Sequence, residues 1–177
     1  MLVSGAGPVG LVVVNLALLM GASHVIAVDP NPYRRAQAEK IGALAMPPGA
    51  EVVERCRELT GRRGGFDVAF ECSGAPPALP PLFEALRREA TLVTVGHPSR
   101  PVEIDIAAHI NKKGITLRGI FGRRLWDTWE QTMLLLDSGR LDLEWLITHR
   151  MPLGQVDEAV DLLSGEACKV LLVPGLQ

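Results

Sequence analysis

The chain has 177 residues, 47% of them hydrophobic and 21% charged, with a formal net charge of −2 at pH 7. The length suits one compact domain of about 100–200 residues that builds its own core, and the hydrophobic share excludes intrinsic disorder. The near-neutral balance gives no field for nucleic acid or an anionic lipid surface, so any phosphate contact has to be local.

Residues 1–4 form a short apolar run ending in glycines, and residues 9–20 follow with a helical pattern. No Asp, Glu, Lys or Arg precedes Asp29. A secretory signal needs a basic start, which Met1-Leu2-Val3-Ser4 lacks. A membrane span needs ~20 predominantly apolar residues, and the longest stretch here without Gly or Pro is residues 11–20. Neither is expected. Residues 25–28 read as a strand, 33–41 as a helix with Pro32 suited to its first turn, and 43–46 as a weak strand. Residues 52–59 are helical, with Val52, Val53, Cys56 and Leu59 on one face. Strands follow at 66–70 and 91–95 around a proline-led helix at 76–86, and another strand at 115–121. Buried strands alternating with helices predict an α/β fold with a doubly wound parallel sheet covered on both faces. After Gly122 the rhythm changes. A longer amphipathic helix over 125–136 carries Trp126 and Trp129, and residues 146–151, a helix at 156–163 and a strand at 170–173 complete the chain. A boundary therefore falls near Gly122. Cys56, Cys72 and Cys168 lie far apart without a Cys-x-x-Cys pair. That spacing argues against a disulfide framework or a thiolate zinc site, and for reduced thiols in a cytoplasmic setting.

The chemistry is carried by Gly5-Ala6-Gly7-Pro8-Val9-Gly10, a G-x-G-x-x-G run between the first strand and the first helix. Alone such spacing is weak. Here an acidic residue, Asp29, lies 19 positions past Gly10 at the end of the second strand, which completes the dinucleotide-binding pattern. The first glycine permits a tight turn. The second admits a pyrophosphate to the backbone, and the third lets helix and strand pack closely. The helix N-terminus offers partial positive charge. A carboxylate at Asp29 accepts the adenosine ribose hydroxyls and repels a 2′-phosphate, so NAD is expected over NADP. Two other readings stay open: a glycine turn that binds nothing, and Asp29 as the N-cap of the next helix. Arg34 and Arg35 stand nearby and complicate the 2′-phosphate argument. The central position of the first strand and helix also explains the charge-free start.

Some enzyme classes are excluded. Tyr33 is the single tyrosine and Gln37 stands four residues on, so no Tyr-x-x-x-Lys exists, and no Gly-Lys-Ser/Thr tripeptide marks a P-loop. A methyltransferase, which also uses a glycine-rich first turn, is the rival enzyme class.

Further segments follow in order: Val28-Asp29-Pro30-Asn31-Pro32-Tyr33-Arg34, Phe66-Asp67-Val68 with Glu71-Cys72-Ser73-Gly74, Val95-Gly96-His97-Pro98, Gly119-Ile120-Phe121-Gly122-Arg123, Ile147-Thr148-His149-Arg150, and Ser164-Gly165-Glu166 with Lys169-Val170. This order resembles the C-terminal half of the medium-chain, zinc-dependent alcohol dehydrogenases. Within that family the chain is most similar to the L-threonine dehydrogenases, through Gly122-Arg123-Arg124-Leu125-Trp126, Thr128-Trp129, Ser138-Gly139 and Leu141-Asp142-Leu143. The resemblance covers essentially the whole chain.

It implies a Rossmann cofactor domain over residues 1–122 and, over 123–177, a returning piece of the catalytic domain. It implies that Gly5, Gly7, Pro8, Val9 and Gly10 hold the pyrophosphate and that Asp29 and Arg34 lie at the adenosine. Val95, Gly96 and His97 would lie against the nicotinamide, Ile120 and Phe121 at its carboxamide side, and Lys169 near the pyrophosphate. For Ile120 and Phe121 plain strand core is the competing reading, and for Lys169 an ordinary surface lysine. No catalytic or metal-ligating residue is assigned in this chain. The family's zinc ligands and proton relay precede the glycine turn, the first strand looks shortened, and His24, His109 and His149 are isolated. The implied partners are NAD, a small alcohol or amino-acid substrate of the longer enzyme, and a second copy of the chain joined through the edge strand between Ile115 and Ile120. Alternatives are another polyol or secondary-alcohol dehydrogenase of the same family, or a non-catalytic dinucleotide-binding module. Nucleic acid and membrane are not expected as partners.

Overall fold

A computed structural model describes residues 1–122 and 124–176. They form two compact units, Met1–Phe121 and Gly122–Gln177.

The first unit holds a six-stranded sheet, β1 (Leu2–Ser4), β2 (Ile26–Val28), β3 (Leu44–Met46), β4 (Phe66–Glu71), β5 (Leu86–Thr94) and β6 (Thr116–Gly119). All pairings are parallel and the spatial order is β3-β2-β1-β4-β5-β6. The order reverses beside β1, which is where ligands of doubly wound sheets bind, beyond the carboxyl ends of the strands. β1 has three residues, as do β2 and β3, and it is hydrogen-bonded on both sides. That central position has no place for charge.

Helix α1 (Pro8–Leu19) starts with proline at its first position and buries Gly10, Leu11, Val14 and Ala17. Helix α2 (Pro32–Ile41) is capped by Asn31, whose side chain accepts from the N–H groups of Tyr33 and Arg34, and it stops at Gly42 in a left-handed conformation. The N-cap of this helix is therefore Asn31 and not Asp29. Helix α3 (Glu51–Thr60) carries Glu51 and Glu54 in its first turn, where they suit the helix dipole. The expected helix at 76–86 is shorter. Pro76–Ala78 form a 3-10 turn, α4 spans Leu79–Ala85, and Leu86 already pairs with Phe66 as the start of β5. Arg87-Arg88-Glu89 falls between the expected helix and strand, and sheet pairing draws it into β5 through a bulge where Glu89 takes φ +58°. A π-helical segment, Ile106–Asn111, has no counterpart in the sequence reading. Leu2, Ile26, Phe66, Phe83, Leu86 and Leu92 centre the core.

The second unit contains α5 (Asp127–Asp137), β7 (Ile147–Pro152), α6 (Val156–Ser164) and β8 (Lys169–Val173), with β7 and β8 paired in parallel. No residue of α5 is buried. No helix among the described residues is long and apolar enough to cross a membrane.

Candidate cofactor site

The three glycines of the turn have three different surroundings. Gly5 takes φ +91°, and a Cβ there would lie 2.8 Å from the Ser73 backbone, so the turn packs directly on the loop after β4. A Cβ on Gly10 would run into the Gly5 carbonyl. A Cβ on Gly7 would meet nothing within 4 Å. The first and third glycines are thus demanded by the fold, whereas the second faces open space. Gly7 is also the N-cap of α1, with no side-chain hydrogen bond at the cap and Pro8 next in line. The first-turn N–H groups of α1 therefore have no side-chain oxygen to accept from them. Such a cradle fits a pyrophosphate, and Val9, half exposed, stands beside it.

Asp29 closes the turn from the other side. It follows β2 and is 3% exposed. One carboxylate oxygen accepts from the Ala6 N–H at 2.8 Å and the other from the Asn31 N–H at 2.8 Å. The acid thus ties the glycine turn to the β2–α2 corner, and each oxygen keeps a further lone pair. Arg34 approaches the same carboxylate at 3.9 Å. Arg35 donates to the carbonyls of Asp29 and Pro30, both at 2.8 Å, so its guanidinium clamps the corner from below. Beside the turn opens a cleft of about 590 Å³, lined by Ser4, Gly5, Val28, Pro30 and Ser73 and continuing onto Leu82 of α4.

A second buried acid escaped the sequence reading. Glu71 ends β4 at 2% exposure. Its side chain accepts from the Ser73 N–H at 2.8 Å, from the Ser73 hydroxyl and from the Gly74 N–H. Its carbonyl accepts from the N–H groups of Val95 and Gly96 at 2.8 and 2.9 Å. One residue thereby fixes the loops after β4 and β5. The available signal was an acid closing an apolar strand directly before Cys-Ser-Gly. Between these loops Gly74 takes φ +65° and a Cβ there would lie 2.7 Å from the His97 carbonyl. The Cys72 thiol beside it is pushed up to about 12 by burial and by the Glu71 charge, which keeps it protonated at neutral pH.

Val95, Gly96 and His97 follow β5, and Ile120 and Phe121 follow β6, with the Ile120 N–H extending the ladder to Thr94. His97 is exposed, and its ring meets Phe121 edge-on at 5.7 Å. Ile120 and Phe121 are 40% and 89% exposed, which sets aside strand core as their role. Lys169 opens β8 in the second unit and is exposed. Arg123 lies outside the described residues. Among the described residues no group of three or more His, Cys, Asp or Glu side chains converges to hold a metal ion. The donor set for a zinc is not among them.

Comparison with known proteins places this geometry. Residues 8–138 match the family of zinc-binding dehydrogenases. An L-threonine 3-dehydrogenase of Symbiobacterium thermophilum is 42% identical over 180 residues, covering 99% of this chain and 51% of the relative. The crystal structure of 2R,3R-butanediol dehydrogenase from Bacillus subtilis superposes with a TM-score of 0.88 at 31% identity, covering 98% of this chain and 50% of that one. An alcohol dehydrogenase from Escherichia coli complexed with NADH gives a TM-score of 0.83 at 25% identity, over 97% of this chain and 51% of that one. The chain spans about half the length of the curated relatives it matches. With the matched segment covering well over half of its residues, the chain belongs to the zinc-binding dehydrogenase family.

Proposed function

We propose that this chain is the NAD-binding part of an oxidoreductase that oxidises a secondary alcohol, the β-hydroxyl of L-threonine, to a ketone. The observation that carries the reading is the glycine turn with its open Gly7 cradle, fastened by buried Asp29. The substrate follows the relatives named L-threonine 3-dehydrogenase, and the cofactor follows the related alcohol dehydrogenase complexed with NADH. Bound NAD supplies the hydride acceptor; the residues of this chain bind and orient it.

Gly5, Gly7, Pro8, Val9 and Gly10 form the seat of the pyrophosphate, with the α1 N-terminus facing it. Asp29 accepts the ribose hydroxyls through its remaining lone pairs. Its charge at that point disfavours a 2′-phosphate, and Arg34 flanks the adenosine. Because Arg35 is engaged with backbone carbonyls, it offers a 2′-phosphate little. Val95, Gly96 and His97, with Ile120 and Phe121, present the nicotinamide wall at the ends of β5 and β6. Residues 123–177 are the returning piece of a catalytic domain, and the copies of the chain pair through β6 in the cytoplasm.

Calorimetric titration of this chain with NAD and NADP tests the reading. Saturable NAD binding is expected, lost or much weakened in Asp29→Asn, with NADP binding weaker than NAD. Equal affinity for the two cofactors would refute the role of Asp29. Threonine oxidation by this chain alone would refute the assignment of its chemistry to residues outside it.

A further inference from the structure

The end of the sheet opposite the glycine turn carries its own pattern. Arg62-Arg63, Arg87-Arg88 and Lys112-Lys113 are basic doublets, each 25 residues after the last. They fall at the amino ends of β4, β5 and β6, which are neighbours in the sheet. The topology therefore gathers three sequence-distant doublets along one edge. There a cavity of about 580 Å³ is lined by Arg57, Arg63, Arg87, Arg88 and Lys113. The carboxylates in its wall are Glu84 and Glu89, so cations outnumber them in a chain whose net charge is negative.

Several of these cations are held in place. Asp67 bridges two of them, 2.7 Å from Arg87 Nε and 3.4 Å from Arg63 Nη2. Arg87 Nη1 donates to the Arg88 carbonyl at 2.6 Å. Lys113 Nζ donates to the carbonyls of Phe83 and Leu86 at the end of α4, at 2.5 and 2.9 Å. Two of its three hydrogens are thus spent and one is left for a ligand. Burial and the nearby Arg57 charge hold this ammonium below its usual range. Like charges kept this close repel unless an anion joins them, and a preorganised guanidinium set loses little freedom on binding one. Planar guanidinium groups suit phosphate oxygens. No aromatic side chain lines the cavity, so nothing in the wall stacks on a base.

We propose that this cavity binds a small polyphosphate, a di- or triphosphate recognised through its phosphate chain. The site is separate from the cofactor turn. Leu86 and Thr94, at opposite ends of β5, are eight residue steps apart, roughly 26 Å in an extended strand.

The test is calorimetric titration of this chain with sodium tripolyphosphate in 0.15 M NaCl, with and without NAD. One saturable site is expected, unaffected by NAD, and at least about tenfold weaker in Arg57→Gln/Arg88→Gln. Both residues are exposed, so the double variant is expected to fold, which an unchanged circular dichroism spectrum and melting temperature check. ATP is expected to bind about as tightly as tripolyphosphate, and a single orthophosphate more weakly. Absence of binding, equal binding by the double variant, or displacement of tripolyphosphate by NAD would each overturn the proposal. Tighter binding of a 20-nucleotide single-stranded DNA would overturn it in favour of a nucleic-acid surface. The double-variant arm decides even if the chain binds no NAD, so failure of the cofactor reading leaves this test intact.

Discussion

Gly7 and Gly10 belong to one turn, yet their replacement by alanine is expected to do opposite things. At Gly10 a Cβ would stand 2.9 Å from the Gly5 carbonyl carbon and closer still to its oxygen. The oxygen contact governs: it is well inside the roughly 3.0 Å below which such contacts do not occur, so the turn or α1 must retreat by about 1.3 Å or more. Overpacking of that kind costs about 1–3 kcal/mol or more, against which the better helix propensity of alanine returns about 1 kcal/mol. For a unit of this size each kcal/mol shifts the melting temperature by about 3–4 °C. Gly10→Ala is expected to lower it by several degrees and to weaken NAD binding by displacing the turn. At Gly7 the added methyl meets nothing within 4 Å and φ is −71°. The small loss at the N-cap and the gain from a stiffer unfolded chain are both under ~1 kcal/mol and roughly offset. Gly7→Ala is therefore expected to melt within about 3 °C of wild type without NAD. Its methyl, however, occupies the space assigned to the pyrophosphate. The stabilisation that NAD gives the wild type, RT ln(1 + [NAD]/Kd), is expected to vanish, and with it the NAD-dependent rise in melting temperature. Scanning calorimetry with and without cofactor reads both effects. If Gly7→Ala keeps the full NAD-dependent rise, the phosphates do not lie over Gly7 and the cradle argument is wrong. If Gly10→Ala melts as wild type, the close approach to Gly5 imposes no constraint.

Other consequences follow from particular contacts. The Arg87 hydrogen bond foremost, with Arg63 and Arg87 charges behind it, holds the Asp67 carboxyl below the usual carboxylate range. Its contribution is present above the unfolded carboxylate pKa of about 3.9 and is lost as pH falls through the lower folded value. Asp67→Asn is expected to melt slightly below wild type at pH 7, with the gap closing near pH 2; a gap that persists in acid would rule out the ion pair as its source. Trp129, Met133 and Leu136 follow helical spacing on α5, Trp126 stands at its N-cap, and all four are exposed. The chain is expected to enhance 1-anilinonaphthalene-8-sulfonate fluorescence, and Trp129→Ser/Met133→Ser to reduce it. An unresponsive dye would count against an open apolar stripe. β6 is an edge strand whose residues are all exposed, with Leu117 at its centre. Sedimentation is expected to give a dimer for wild type and a monomer for Leu117→Pro, and a monomeric wild type would refute pairing through this edge.

The order of strands and helices was legible because each apolar run is short and each interruption is glycine or proline. What stayed hidden was decided by pairing at a distance. Leu86-Arg87-Arg88-Glu89 has the polarity of a helix end, and only its ladder to Phe66 across the sheet turns it into strand. Ile106–Asn111 has too little periodicity to show as a helix, and the Asp105 side chain starts it by accepting from the Ala108 N–H at 2.9 Å. At the site, spacing alone singled out the glycines and Asp29. It did not show which glycines the fold demands and which one faces open space. That difference lies in what surrounds each Cα, and Ser73, which crowds Gly5, is 68 residues away in sequence.

The two buried acids show the same division. Asp29 follows β2 and Glu71 ends β4, the strands on either side of β1, and each turns its oxygens toward backbone N–H groups of the loops beside it. A buried carboxylate without partners is costly, so each persists only because its loop supplies the donors. The coupling runs both ways: the acid needs the loop, and the loop is held to one shape by the acid. Asp29 stands out because its spacing from the glycines is a known dinucleotide-binding pattern, and the role proposed for its remaining lone pairs is to accept ribose hydroxyls. Glu71 has most of its capacity filled by Ser73 and Gly74, which leaves it a positioning residue. Glu71→Gln keeps the shape but cannot accept at both positions, since one terminus becomes a donor. It is expected to loosen the loop after β4, seen as faster amide exchange at Ser73 and Gly74, while Val95 and Gly96, held by the Glu71 main-chain carbonyl, keep their protection. Faster exchange at Val95 and Gly96 as well would show that the side chain, and not the main chain alone, fastens the loop after β5.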